Sequence, residues 1–143
     1  MVKKNLNTNI KLPFKIDISS TLKIRGVIAT SNIKKNTVIE RCPVILVDIE
    51  YEDFLEKTNL SGYYFTWNDK YYCIVLGYGG IFNHSKNNNV NFYKDKKNKI
   101  MFFKTKKDIK KGEELTIDYY DGLKNEIYSE FTDFHKKYGR LGL

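Results

Sequence analysis

Apolar residues in this chain come in short runs broken by polar turns, a pattern that favours strands over helices. Residues 1–16 are polar and rich in Lys and Asn around Leu12-Pro13-Phe14, and read as an extension lying on the body. Leu22-Ile24 and Val27-Ile28-Ala29 predict a strand around Gly26, and Ser31 to Asn36 a polar turn. Thr37 to Asp48 is rich in Val and Ile, but Pro43 inside it points to an edge or bulged strand. Ile49, Tyr51, Phe54 and Leu55 predict a short helix over Ile49 to Leu60, with Asp48 as its cap. Tyr63 to Trp67 and Tyr71 to Leu76 flank Asn68-Asp69-Lys70 and predict a hairpin. A second hairpin is predicted from Val90 to Lys94 and from Ile100 to Thr105, turning at Asp95–Lys99. Lys110-Lys111-Gly112 leads into a strand at Glu114 to Tyr119, and residues 124–138 carry Ile127, Phe131, Phe134 and Tyr138 at helical spacing. The fold class expected is mainly β, with short sheets and few short helices.

Composition sets the class. The chain has 143 residues, 41% hydrophobic and 15% aromatic, enough for one domain with an aromatic core. No run of about 18 apolar residues exists, so no transmembrane helix and no membrane association are expected. The start of the chain has no apolar core of the kind a signal peptide needs. Two cysteines, Cys42 and Cys73, are too few for a disulfide scaffold or a Cys-only zinc site, so the expected compartment is intracellular. The formal net charge is +8, and 22 of the 25 basic residues are Lys. Lys, Asn and Ile enrichment together reads as an AT-rich genome more than as a binding surface, so direct nucleic-acid binding is not expected.

Three clusters could carry chemistry. Asn83-His84-Ser85 follows a stretch rich in glycine, where the backbone could approach a ligand closely; the same residues also read as a turn satisfying backbone groups. No metal is expected, because the only other histidine is His135 and no carboxylate stands at ligand spacing. In Glu114-Leu115-Thr116-Ile117-Asp118-Tyr119, alternation puts Leu115, Ile117 and Tyr119 on one face. Tyr119 then brings a hydroxyl to the strand end, where it either satisfies a core group or steers a reacting amine. Tyr63, Phe65 and Trp67 line one strand face, as core packing or as an aromatic channel for a cation.

Taken in order, Arg25-Gly26-Val27-Ile28-Ala29, Tyr63-x-Phe65-x-Trp67, Leu76-Gly77-x-Gly79, Ile81-Phe82-Asn83-His84-Ser85 and Gly112-Glu113-Glu114-Leu115-Thr116-Ile117-Asp118-Tyr119 resemble a SET domain, the protein-lysine methyltransferase family. The resemblance spans residues 20–121, leaving an N-terminal extension at 1–19 and a C-terminal helical, aromatic segment at 122–143. It implies a knot-like β fold in which the Asn-His-Ser segment threads beside the Glu-Leu-Thr-x-Asp-Tyr segment. It also implies S-adenosylmethionine as cofactor, held by Arg25, Gly26, Asn83 and His84. Tyr119 matches the catalytic tyrosine, and Tyr63, Phe82 and Ile117 would line the substrate channel, which the C-terminal segment would close.

Departures from the family pattern have consequences of their own. Ile24 stands where a first glycine is usual, and Asn36 replaces a frequent turn glycine, which Asn can match at positive φ. Lys86 and Asn88 replace the common Cys and Pro, so the zinc site of some members is not expected. Ile117 lacks the hydroxyl some members place there, which implies that more than one methyl can be added. The resemblance implies a histone tail as protein substrate, in the nucleus, with a large DNA virus as one source; a homodimer would complete a substrate cleft that a small chain lacks. A basic tail should dock on local acidity, with Asp48, Glu50, Glu52, Asp53, Glu56, Asp118 and Asp121 as candidates. The rival readings are a SET-like scaffold without activity and a basic β module that binds nucleic acid.

Overall fold

The computed structural model describes residues 11–120, so the expected helix at 124–138, the channel-closing segment, Asp121 and His135 lie outside the described residues. Two sheets make the body. The first has the order β1-β2-β9-β6, built from β1 (Phe14–Ile18), β2 (Arg25–Ala29), β9 (Glu114–Ile117) and β6 (Asn83–His84). The second has the order β4-β5-β3-β8-β7, from β4 (Tyr64–Thr66), β5 (Tyr71–Val75), β3 (Val38–Asp48), β8 (Ile100–Thr105) and β7 (Val90–Asp95). Both predicted hairpins form, β4 with β5 and β7 with β8. In the first, Asn68 Oδ1 accepts the amides of Lys70 and Tyr71, so the turn is folded by its own side chain. Asn36 adopts φ 64°, the left-handed conformation expected of it.

Four segments differ in detail from expectation. Within the expected N-terminal extension, Phe14–Ile18 is strand β1, paired antiparallel with β2 from Phe14↔Ala29 to Ile18↔Arg25. Residues 19–24 form the turn between them, so β2 starts at Arg25 and Leu22 and Ile24 precede it. Strand β3 carries the predicted bulge, between Val38 and Glu40, but it is central and not at an edge. Its residues 38–43 pair with β8 and its residues 44–48 with β5, and Pro43 stands at the exchange of partners. A proline amide missing from one ladder is tolerated at such a point. The predicted helix is a 3-10 turn (Ile49–Tyr51) followed by the single-turn helix α1 (Glu52–Glu56), and the Asp48 side chain caps nothing. Leu55 is its one buried residue, while Ile49, Tyr51 and Phe54 face solvent.

The core joins the sheets through Phe82, Phe103, Met101, Val27, Leu115 and Ile117, all fully buried. The Phe82 and Phe103 rings meet edge to face with centroids 5.1 Å apart, a contact of about 0.5–1.5 kcal/mol beyond their area. Gly79 belongs to this packing: a Cβ there would overlap the Phe103 ring. The glycine-rich stretch before Asn83 is thus set by close packing against the core, with Glu40 accepting the amides of Tyr78 and Gly79.

Candidate active site

Strand β6 is two residues long, yet it determines the site. It pairs parallel with β9, Asn83 opposite Thr116 and His84 opposite Ile117, and the Ser85 amide donates to the Ile117 carbonyl at 3.0 Å. The two motifs separated in sequence therefore run side by side. On β9, Leu115 and Ile117 are fully buried and Tyr119 packs against the core from the same face, as alternation predicted. The Tyr119 hydroxyl donates to the Phe82 carbonyl at 2.7 Å, and its backbone amide donates to His84 Nδ1 at 3.1 Å. Ring and backbone of Tyr119 are both held by the segment that carries Asn83-His84.

His84 can accept that amide only when Nδ1 is unprotonated, which puts the ring hydrogen on Nε2. Burial lowers the His84 pKa from its ordinary 6.5, the Asp118 carboxylate opposes this, and Lys86 adds to the lowering. Asp118 Oδ1 lies 3.6 Å from Nδ1, but it accepts the Tyr120 amide at 3.0 Å, so the neutral acceptor form fits both contacts. The imidazole also lies against the rings of Tyr119 and Tyr120, at 5.2 and 5.0 Å.

The remaining predicted residues separate into two groups. Arg25 and Tyr63 come together: the exposed guanidinium lies 3.4 Å from the Tyr63 hydroxyl and 6.0 Å from its ring centre. Gly26 and Asn83 are buried, and the Asn83 amide nitrogen donates to the Arg25 carbonyl at 3.0 Å and to Glu114 Oε1 at 2.7 Å. By contrast, the rings of Phe82 and the side chain of Ile117 lie wholly in the core. What Phe82 offers the site is its carbonyl, and what Ile117 offers is support beneath Tyr119. Phe65 and Trp67 are core residues, leaving Tyr63 as the half-buried member of that aromatic row.

Three residues that sequence reasoning did not single out, together with Glu114 of the β9 motif, hold the site together. Asn89 is buried and its side chain acts as a short strand for β9, donating to the Glu114 carbonyl at 2.8 Å and accepting the Thr116 amide at 2.9 Å. Glu40 fixes the loop before β6, and Ser19 and Glu114 meet behind Asn83. Of Asn89, Glu40 and Ser19, only Asn89 had a signal to read, a polar residue set among asparagines directly before an apolar strand. Besides Asp118, two members of the proposed acidic surface are already engaged: Glu56 accepts the Tyr64 hydroxyl, and Glu52 accepts from Tyr72. Both phenols are pushed well above their ordinary range, first by burial and then by these carboxylates.

Neither cysteine is a nucleophile in waiting. Cys42 and Cys73 are free and buried, and burial pushes the thiols up to about 12 and about 11. Among the described residues, no group of three or more His, Cys, Asp and Glu side chains is placed to hold a metal ion, and no helix is long and apolar enough to cross a membrane.

The chain is 38% identical over 100 residues to a Schizosaccharomyces pombe protein named as a histone-lysine N-methyltransferase specific for H3 lysine-37, covering 69% of this chain and 68% of that one. Its fold matches the crystal structure of a Plasmodium falciparum protein assigned as a histone methyltransferase, with a TM-score of 0.63 and 30% identity, over 80% of this chain and 98% of the other. Residues 24–120 match the family model described as SET domain, the span that contains both the parallel β6–β9 pair and Tyr119. The chain belongs to the SET domain family.

Proposed function

We propose that this protein is a protein-lysine N-methyltransferase that uses S-adenosylmethionine and acts on histone tails. The observation that carries the reading is the double hold on Tyr119, hydroxyl on the Phe82 carbonyl and amide on His84. When bound, S-adenosylmethionine supplies a methyl group on a sulfonium, which an amine takes by in-line displacement. The residues present suit such a ligand. Arg25 brings an exposed cation for its carboxylate, and Asn83, with both amide hydrogens already donated, meets it through an acceptor oxygen. Arg25, Gly26, Asn83 and His84 would hold it.

Tyr119 works by geometry. Its single phenolic hydrogen goes to Phe82, so it meets a lysine amine as an acceptor and can aim the nitrogen lone pair. Such positioning accounts for most of the barrier reduction in a displacement of this kind. A half-buried site also favours loss of the lysine proton, since desolvation penalises the ammonium more than the amine. Tyr63 stands beside Arg25, where it would wall the substrate channel next to the cofactor, and Phe82 and Ile117 back that channel from the core. The chemistry calls for no metal.

Two relatives named for histone substrates support the substrate class, and a histone substrate would be met in the nucleus. The purified protein should transfer labelled methyl from S-adenosylmethionine to a histone mixture. Tyr119→Phe should lower kcat by about 100-fold with little change in cofactor binding. An unchanged rate in that variant would remove Tyr119 from the mechanism, and transfer to no histone would remove the substrate.

A further inference from the structure

Glu114 lies where β2, β6 and the turn after β1 converge, and both of its carboxylate oxygens are engaged. Oε1 accepts the Asn83 amide nitrogen at 2.7 Å and Oε2 accepts the Ser19 hydroxyl at 2.6 Å. Asn83 is 4% exposed and Ser19 fully buried, so the donor end of each bond is shielded while Glu114 itself is half-buried, and charge-assisted bonds of this kind are the stronger ones. Ser19 is itself oriented: its oxygen accepts the Leu22 amide at 3.0 Å, leaving its hydrogen for Glu114. The second amide hydrogen of Asn83 goes to the Arg25 carbonyl at 3.0 Å. Turning the amide over would set Oδ1 against a carboxylate and a carbonyl at once.

Gly26 adds an independent observation. A Cβ at that position would lie 2.5 Å from Glu114 Oε1 and 2.9 Å from Asn83 Nδ2. Real side chains do not pack that closely, so any residue but glycine would press on the pair. A Cβ at Gly26 would therefore displace this carboxylate and amide, whether or not a ligand approaches the backbone.

We propose that Glu114 is a positioning residue: its carboxylate, steadied by Ser19, locks the Asn83 amide so that an acceptor oxygen faces the hydrogen-bond donors of the cofactor. This rests on the reading of the protein as S-adenosylmethionine-dependent. Glu114→Gln keeps the shape but turns one acceptor oxygen into a donor, so either Ser19 or Asn83 loses the acceptor it now has. Ser19→Ala frees the far oxygen without touching Asn83.

The test is a double-mutant cycle on the cofactor Kd, measured by calorimetric titration of S-adenosylmethionine. Glu114→Gln should weaken binding about 10-fold and Ser19→Ala about 3-fold, while kcat at saturating cofactor stays within about 3-fold. In an Asn83→Ala background, each should change Kd by less than about 2-fold, because there is no amide left to orient. The same fold-change in both backgrounds, or none in the native one, overturns the proposal. Should Glu114→Gln not fold, the Ser19→Ala cycle decides alone. A native protein that binds no cofactor defeats the functional reading and this role with it; a native protein that binds without coupling defeats only the role of Glu114.

Discussion

Asn89 offers a direct test of how the site strand is held. Its side chain replaces a neighbouring strand for β9, giving one hydrogen to the Glu114 carbonyl and taking one from the Thr116 amide. The residue is 7% exposed, so water does not readily take over either bond. Asn89→Ala removes both at once. A net hydrogen bond is worth about 0.5–1.5 kcal/mol, and a buried backbone group left without its partner raises the loss to about 1–3 kcal/mol each. The expected destabilisation is therefore about 2–6 kcal/mol, a large part of the about 5–15 kcal/mol that holds a domain of this size. Asn89→Asp is the more discriminating change. It keeps the shape and the acceptor for Thr116, but sets a carboxylate against the Glu114 carbonyl. Protonating that carboxyl restores a donor, so the deficit of Asn89→Asp should shrink as pH falls, whereas that of Asn89→Ala should not. Urea unfolding at pH 7 and pH 4, each variant against the native chain at the same pH, measures both. Equal deficits for Asn89→Asp at the two pH values, or a loss below about 0.5 kcal/mol in either variant at pH 7, would refute the strand-like role of this side chain.

Two further outcomes follow from the site and the core. His84 titrates below its ordinary 6.5 because burial disfavours the imidazolium, so below that pH the unfolded chain binds more protons than the folded one. The stability from neutral His84 is complete above about 6.5 and falls as pH drops through the folded value; His84→Asn should flatten that acid limb in a pH series of thermal unfolding. Cys42 and Cys73, with thiols near 12 and 11 and no exposure, should alkylate with iodoacetamide at pH 8 only as the chain unfolds, and rapid labelling of the native protein would contradict their placement.

Much of the fold is legible locally. Alternation located β9 and the inward face of Leu115, Ile117 and Tyr119, because a strand exposes its two faces to different solvents residue by residue. The Asn68 turn and the left-handed Asn36 are equally local, each a matter of one side chain or one φ. The short helix forms but stops at Glu56, and Ile49, Tyr51 and Phe54 at helical spacing face solvent, since spacing alone does not say what a face meets. Pro43 left an edge strand and a bulged one both open, because the exchange of β3 between β8 and β5 is not written in any window of sequence.

The chain by itself determined the hairpins, the aromatic core and the motifs at residues 81–85 and 112–119 that mark the family. Only the tertiary structure decided that β6 runs parallel to β9, that Ser19 reaches Glu114 across 95 residues, and that Gly26 is small to make room for a carboxylate and an amide. Periodicity reports which side of a segment is apolar; it carries no record of which distant segment supplies the hydrogen bonds. That choice is made by the whole core at once, since a parallel pair or a buried carboxylate is stable only where every neighbouring polar group also finds its partner.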